Sequence, residues 1–205
     1  ASSDGNGVFE PGETSSIEPS WKNIGASPLA LTGSASGLGG PGGATYTIID
    51  TSADYGILAP GATATCASKA DCYAMFASAP GARPVTHWDT TFLETLDVPV
   101  APKTWTLHVG ESFTDVPRSD LFYKKIETIF HNKITVGCNV TDYCPADKVP
   151  RSQMAIFIAR AIAGGTSLPT SGTVGAQPYN CASGGTSLFT DVAPTDIFCK
   201  GVHYI

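Results

Sequence analysis

At 205 residues with a formal net charge of −6, the chain has room for one large or two small domains with a real core. Charged residues make up only 15%, while Gly (22) and Pro (15) are abundant, which favours short strands and turns over long helices. Without a basic run, nucleic acid and anionic membrane surfaces are poor partners. The longest apolar stretch, 154–163, is interrupted by Arg160, so no membrane span is expected. No signal peptide is visible, so an export signal was removed or lay upstream.

In chain order, the first motif is Asp4-Gly5-Asn6-Gly7-Val8-Phe9-Glu10-Pro11-Gly12-Glu13. Oxygen-bearing side chains at alternate positions, glycines that let the backbone curl and a later carboxylate are the parts of a calcium loop. Asp4, Asn6 and Glu13 would supply side-chain oxygens and Val8 its carbonyl, with Glu10 a further carboxylate. The spacing fits an EF-hand only in its first half, and an ordinary polar turn is the alternative. The stretch resembles openings found before β-sandwich domains of exported bacterial proteins. A bound Ca2+ would pin the first strand rather than signal.

Residues 1–110 read as all-β. Alternating runs at 15–23, 29–36, 45–49, 73–78, 85–96 and 104–109 are separated by glycine-rich turns. Strands at that spacing predict an antiparallel sandwich of immunoglobulin type, with Trp21, Trp88 and Trp105 as core aromatics. His87 and Asp89 share a face of one strand but come with no nominated nucleophile. No Gly-x-Ser-x-Gly, His-Glu-x-x-His or phosphate-loop pattern occurs, so no catalytic site is expected.

The period then changes. Phe122, Ile126, Ile129 and Phe130 predict a helix capped by Ser119 or Asp120, and Met154, Phe157, Ile158, Ala161 and Ile162 predict a second, capped by Ser152 and ended by Gly164-Gly165. Residues 165–187, rich in Gly, Ser and Thr, read as a linker. Phe113-Thr114-Asp115-Val116 returns as Phe189-Thr190-Asp191-Val192, and the same 76-residue shift superposes eight identities in seventeen positions. This is a repeat. Its second copy, 188–205, stops inside the expected helix, which predicts that the chain is part of a longer protein.

The six cysteines fall in three local pairs, Cys66/Cys72, Cys138/Cys144 and Cys181/Cys199. Fifteen connectivities are possible, and sequential pairing closes small loops without crossing domains. Neither short pair has metal-finger spacing. An even count with local pairing reads as an oxidising compartment, hence an extracellular or cell-surface protein. Asn139-Val140-Thr141 is a glycosylation sequon.

The unit over 111–164 resembles a surface-layer homology module, in a cysteine-containing variant. The residues that carry this are Ser112-Phe113-Thr114-Asp115-Val116-Pro117, Ile126-Glu127, Ile134-Thr135-Val136-Gly137 and Tyr143-Cys144-Pro145, leading to Pro150-Arg151-Ser152-Gln153-Met154. The family phrase at that last point carries Thr-Arg-Ala-Glu or Thr-Arg-Ala-Gln, of which this chain keeps Arg151 and Gln153. It departs from the family pattern at Pro150 and at Lys133, where a glycine would stand. The resemblance implies a wall-anchoring unit that holds acidic or pyruvylated polysaccharide, with Arg151 and Gln153 at the ligand. A guanidinium fork at a helix N-terminus suits a sugar carboxylate; packing on the loop with Asp142 or Asp147 is the competing role for Arg151.

The expectation is a mainly β chain with a small α part: an immunoglobulin-like β-sandwich, a helix–loop–helix surface-layer homology unit and the start of a second repeat. Its function would be non-catalytic, attaching an exported protein to cell-wall polysaccharide. Two alternatives stand beside it: an accessory region of an exported hydrolase such as a peptidase, and a subunit that self-assembles with neighbouring copies into a layer or fibre.

Overall fold

The computed structural model describes residues 3–205. The chain divides into two units, one ending at Ser112 and the other running Phe113–Ile205.

The first unit holds β1 (Thr14–Ile17), β2 (Ser20–Lys22), β3 (Leu29–Gly39), β4 (Tyr46–Asp50), β5 (Ser52–Leu58), β6 (Thr63–Thr65), β7 (Tyr73–Ala77), β8 (Asp89–Leu96) and β9 (Lys103–His108). They form antiparallel sheets in the orders β1-β7-β4, β2-β6 and β5-β3-β8-β9. Alternation drives the pleat: in β8, Thr90, Phe92, Glu94 and Leu96 are buried while Thr91, Leu93 and Thr95 are exposed. Tyr73, Met75 and Ala77 of β7 join Leu31, Tyr55, Leu58 and Phe92 of the four-stranded sheet in one core cluster. Each fully buried Phe or Met side chain contributes about 1.5–3 kcal/mol. Trp88 is fully buried, and Trp21 and Trp105 pack against the core half-buried.

Several boundaries differ from the sequence expectation. The run 15–23 breaks at Glu18-Pro19 into β1 and β2, since proline cannot donate to a ladder. The run 85–96 becomes strand only at Asp89. Strand β5 lies where no run was apparent. Its pairing with β3 shifts register between Leu31 and Thr32, and Gly56 takes φ +75°. The irregularity makes the buried positions Ala53, Tyr55 and Leu58, a spacing that breaks the period of two.

The second unit contains α1 (Tyr123–His131), α2 (Arg151–Ala163), β10 (Ser171–Val174), β11 (Gln177–Asn180) and α3 (Cys199–Tyr204). Helix α1 buries Tyr123, Ile126, Glu127 and Phe130, whereas Phe122 is 62% exposed. Asp120, rather than Ser119, braces the entry, accepting from Phe122 N at 2.7 Å. Helix α2 turns a different face inward from the one its apolar stripe predicts. Ala155, Ile156 and Ala159 are buried, while Met154, Ile158 and Ile162 are exposed. Ser152 lies inside its first turn, and the N-cap residue is Pro150, which makes no side-chain cap. Gly164, at φ +71°, ends the helix as expected.

The segment 165–187, expected as a linker, contains the hairpin β10–β11, with Val174 opposite Gln177 and Gly175 at φ +60° in the turn. Tyr179 of the hairpin stacks on His203 of α3, centroids 4.7 Å apart. The two copies of the repeat share their local hydrogen bonds. Asp196 accepts from Phe198 N at 2.8 Å, as Asp120 does from Phe122. Tyr123 N and Cys199 N each donate to the aspartate carbonyl of their own copy at 3.1 Å. Helix α3 comes close to α2 at Gly201, where a Cβ would sit 3.0 Å from Ile156 Cα.

The cysteines pair as Cys66–Cys72, Cys138–Cys144 and Cys181–Cys199, with Cα–Cα distances of 5.2, 5.9 and 5.7 Å. No helix among the described residues is long and apolar enough to cross a membrane.

Candidate functional site

At the N-terminal loop, Asp4, Glu10 and Glu13 each bring a carboxylate oxygen within 4.8 Å of the others. Positive φ at Gly5, Gly7 and Gly12 lets the chain curl around them. Glu10 and Glu13 are buried, at 0% and 2% exposure. Glu13 Oε1 accepts from Ser15 Oγ at 2.6 Å and Glu10 N at 3.3 Å, and its Oε2 from Asp4 N at 3.4 Å. Asn6 turns its NH2 towards the carboxylates, donating to Glu10 Oε1 at 2.7 Å and Asp4 Oδ2 at 3.1 Å. Its Oδ1 accepts from Val8 N at 2.8 Å, so Asn6 directs a donor, not an oxygen, at the cluster, and Val8 enters through its amide. Three carboxylates converge here, two of them out of water. Oxygen donors suit a hard divalent cation, and Asp4, Glu10 and Glu13 are the residues that could hold one.

In the second unit, Arg151 and Gln153 lie exposed in the first turn of α2. The Arg151 guanidinium makes no hydrogen bond or ion pair among the described residues, and neither Asp142 nor Asp147 pairs with it. Asp142 is engaged elsewhere. Its hydrogen bonds with Thr114 and then Asn139 hold its carboxyl below the usual carboxylate range. Asp115 braces the loop, accepting from Tyr143 N at 2.8 Å and Cys144 N at 2.7 Å. Asn139 Oδ1 accepts from Thr141 N and Asp142 N, both at 2.8 Å, so the sequon lies in a tight turn.

No protein-family model matches the chain, and no curated protein matches it.

The structure also shows a polar cluster that the sequence concealed. Glu94, fully buried on β8, accepts from Tyr55 Oη at 2.5 Å, Tyr73 Oη at 2.8 Å, Trp21 Nε1 at 3.1 Å and Trp105 Nε1 at 2.5 Å. Burial, and then the hydrogen bond to Glu94, push both tyrosine hydroxyls well above their ordinary range. Lys103 Nζ stands 3.9 Å from the Trp105 ring centroid. Four donors on one carboxylate make this a structural knot. The one signal available in sequence was Glu94 itself, a charge at an inward position of an alternating run.

Proposed function

We propose that the chain is a non-catalytic component of the extracellular surface, attaching an exported protein to anionic cell-wall glycan. In this reading the first unit is an immunoglobulin-like sandwich braced by Ca2+ at Asp4, Glu10 and Glu13. The second is a surface-layer homology module followed by the start of another. The observation that carries the reading is the exposed, uncommitted Arg151 guanidinium in the first turn of α2, within a unit whose entry turn recurs hydrogen bond for hydrogen bond. Backbone N–H groups and a planar fork at one place favour a carboxylate-bearing sugar. Three disulfides suit an oxidising environment. The test is co-sedimentation with purified wall polysaccharide, with and without its acidic substituents. Retention that depends on those substituents supports the reading, and equal recovery without them counts against it.

A second reading, self-assembly, is favoured by the exposed apolar stripe Met154, Ile158 and Ile162 on α2. Leu121 and Ile197, which occupy the same position of the two repeat copies, add to it at 87% and 81% exposure. Concentration-dependent growth of sheets or fibres in the absence of glycan would favour that reading instead.

A further inference from the structure

The β8–β9 register sets Asp89 directly opposite His108, and His87 lies in the bend that leads into β8. Three chemistry-bearing side chains therefore meet at one end of the four-stranded sheet. His108 Nδ1 lies 2.6 Å from Asp89 Oδ1, and His87 Nε2 lies 3.5 Å from Asp89 Oδ2. The two imidazoles flank the carboxylate almost at right angles, centroids 6.2 Å apart and planes at 82°. One ligand atom from each residue falls within 4.8 Å of the other two. The backbone beneath is fixed: Val109 N donates to Trp88 O at 2.9 Å, and Arg83 Nη2 donates to Val109 O at 2.7 Å.

We propose that His87, Asp89 and His108 form a binding site for a late first-row divalent metal ion of the zinc class. Ligand atoms about 2.0–2.2 Å from a tetrahedral ion are separated from each other by roughly 3.4 Å. The His87–Asp89 separation already has that value. His108 Nδ1 contacts the other carboxylate oxygen, Oδ1, and a side-chain rotation that replaces this hydrogen bond brings the three donors around one ion. His87 then ligates through Nε2 and His108 through Nδ1, so each ring keeps its proton on the opposite nitrogen. Two imidazoles and one carboxylate suit zinc, copper or nickel and are poor ligands for calcium. The site therefore differs in chemistry from the all-oxygen cluster at Asp4, Glu10 and Glu13. The bound ion would staple His87 and the start of β8 to the end of β9.

The test uses the full chain, stripped with chelator, dialysed and titrated with Zn2+ by calorimetry, with Co2+ as a spectroscopic probe. The expected result is one equivalent of Zn2+ that excess Ca2+ does not displace, and a visible Co2+ absorption band from nitrogen ligation. His87→Ala, His108→Ala and Asp89→Asn should each weaken zinc binding by at least about tenfold. Imidazole NMR of the unsubstituted protein gives an answer that needs no variant, since the His87 and His108 ring nitrogens should shift together at one equivalent. Failure to bind Zn2+, displacement by Ca2+, unaltered affinity in folded His87→Ala and His108→Ala, or binding with both rings unmoved would each overturn the proposal. Asp89 would then be the centre of a hydrogen-bonded His–Asp–His cluster and nothing more.

Discussion

The Tyr73 hydroxyl of β7 donates to Glu94 Oε1 of β8 at 2.8 Å, so a strand of the three-stranded sheet is hydrogen-bonded to one of the four-stranded sheet inside the shared core. Gly33 makes the contact possible, because a Cβ there would overlap the tyrosine hydroxyl and sit 3.0 Å from Glu94 Oε1. Glu94→Ala leaves Tyr55, Tyr73, Trp21 and Trp105 without their acceptor. It should cost on the order of 4 kcal/mol in urea denaturation, since each buried unsatisfied donor costs about 1–3 kcal/mol. Gly33→Ala should also destabilise the unit, while a surface control such as Thr95→Ala should change little. A loss below about 1 kcal/mol for Glu94→Ala would show the knot to be incidental.

The same knot should lower stability at alkaline pH. Tyr55 and Tyr73 have folded-state pKa values raised above their ordinary 10. Their contribution is complete below the unfolded pKa and is lost as pH rises towards the folded value. Above about pH 10 the unfolded chain releases two protons that the native chain retains, so stability should fall by up to about 2.7 kcal/mol per pH unit. Spectrophotometric titration should show Tyr55 and Tyr73 among the tyrosines that ionise only on unfolding. Tyr55→Phe and Tyr73→Phe should each remove one of them.

The core of the first unit was legible where the period of two holds, as in β7 and β8, and illegible where it fails. Strand β5 escaped because its irregular pairing shifts the buried positions to Ala53, Tyr55 and Leu58. The Glu94 knot escaped because its partners come from residues as far as 73 positions away, and only the sheet brings them together. His87 and Asp89 were visible as a pair, but His108 joins them through the β8–β9 register. In the second unit the Phe-Thr-Asp-Val repeat was plain in the sequence, because local hydrogen bonds of Asp120 and Asp196 fix it. The face of α2 was not. Apolar residues encircle that helix, and the small Ala155 and Ala159 occupy the buried side. Residues 165–187 read as a linker because glycine and serine dominate their composition, which says nothing of Tyr179 stacking on His203.

Helix α3 depends on the absence of a side chain at Gly201. Gly201→Leu should force α3 away from Ile156 and loosen the hairpin that packs through Tyr179. Hydrogen exchange of the α3 amides should speed up by at least about tenfold, an opening cost of roughly 1.4 kcal/mol. Exchange in β7 and β8 should stay unchanged. Unaltered α3 protection would contradict the close-packing account.

Calcium at the N-terminal loop should raise the melting temperature of the first unit. A ligand that binds only the folded form stabilises it by about 2.7 kcal/mol at a hundred times its dissociation constant. Glu13→Gln should abolish the response, because Glu13 is buried and also holds the Asp4, Glu10 and Ser15 donors. Identical melts in calcium and in chelator would remove Ca2+ from the account.

The proposed attachment function rests on Arg151, and the direct measurement is retention on acidic cell-wall polysaccharide by the parent chain and by Arg151→Lys, with thermal melts run on both. A bidentate pair between the guanidinium and a sugar carboxylate is lost on lysine substitution even though the charge remains. The exposed position of Arg151 predicts unchanged melting. The account therefore predicts weakened retention at equal stability. Equal retention by both forms, or no retention by either, would contradict it.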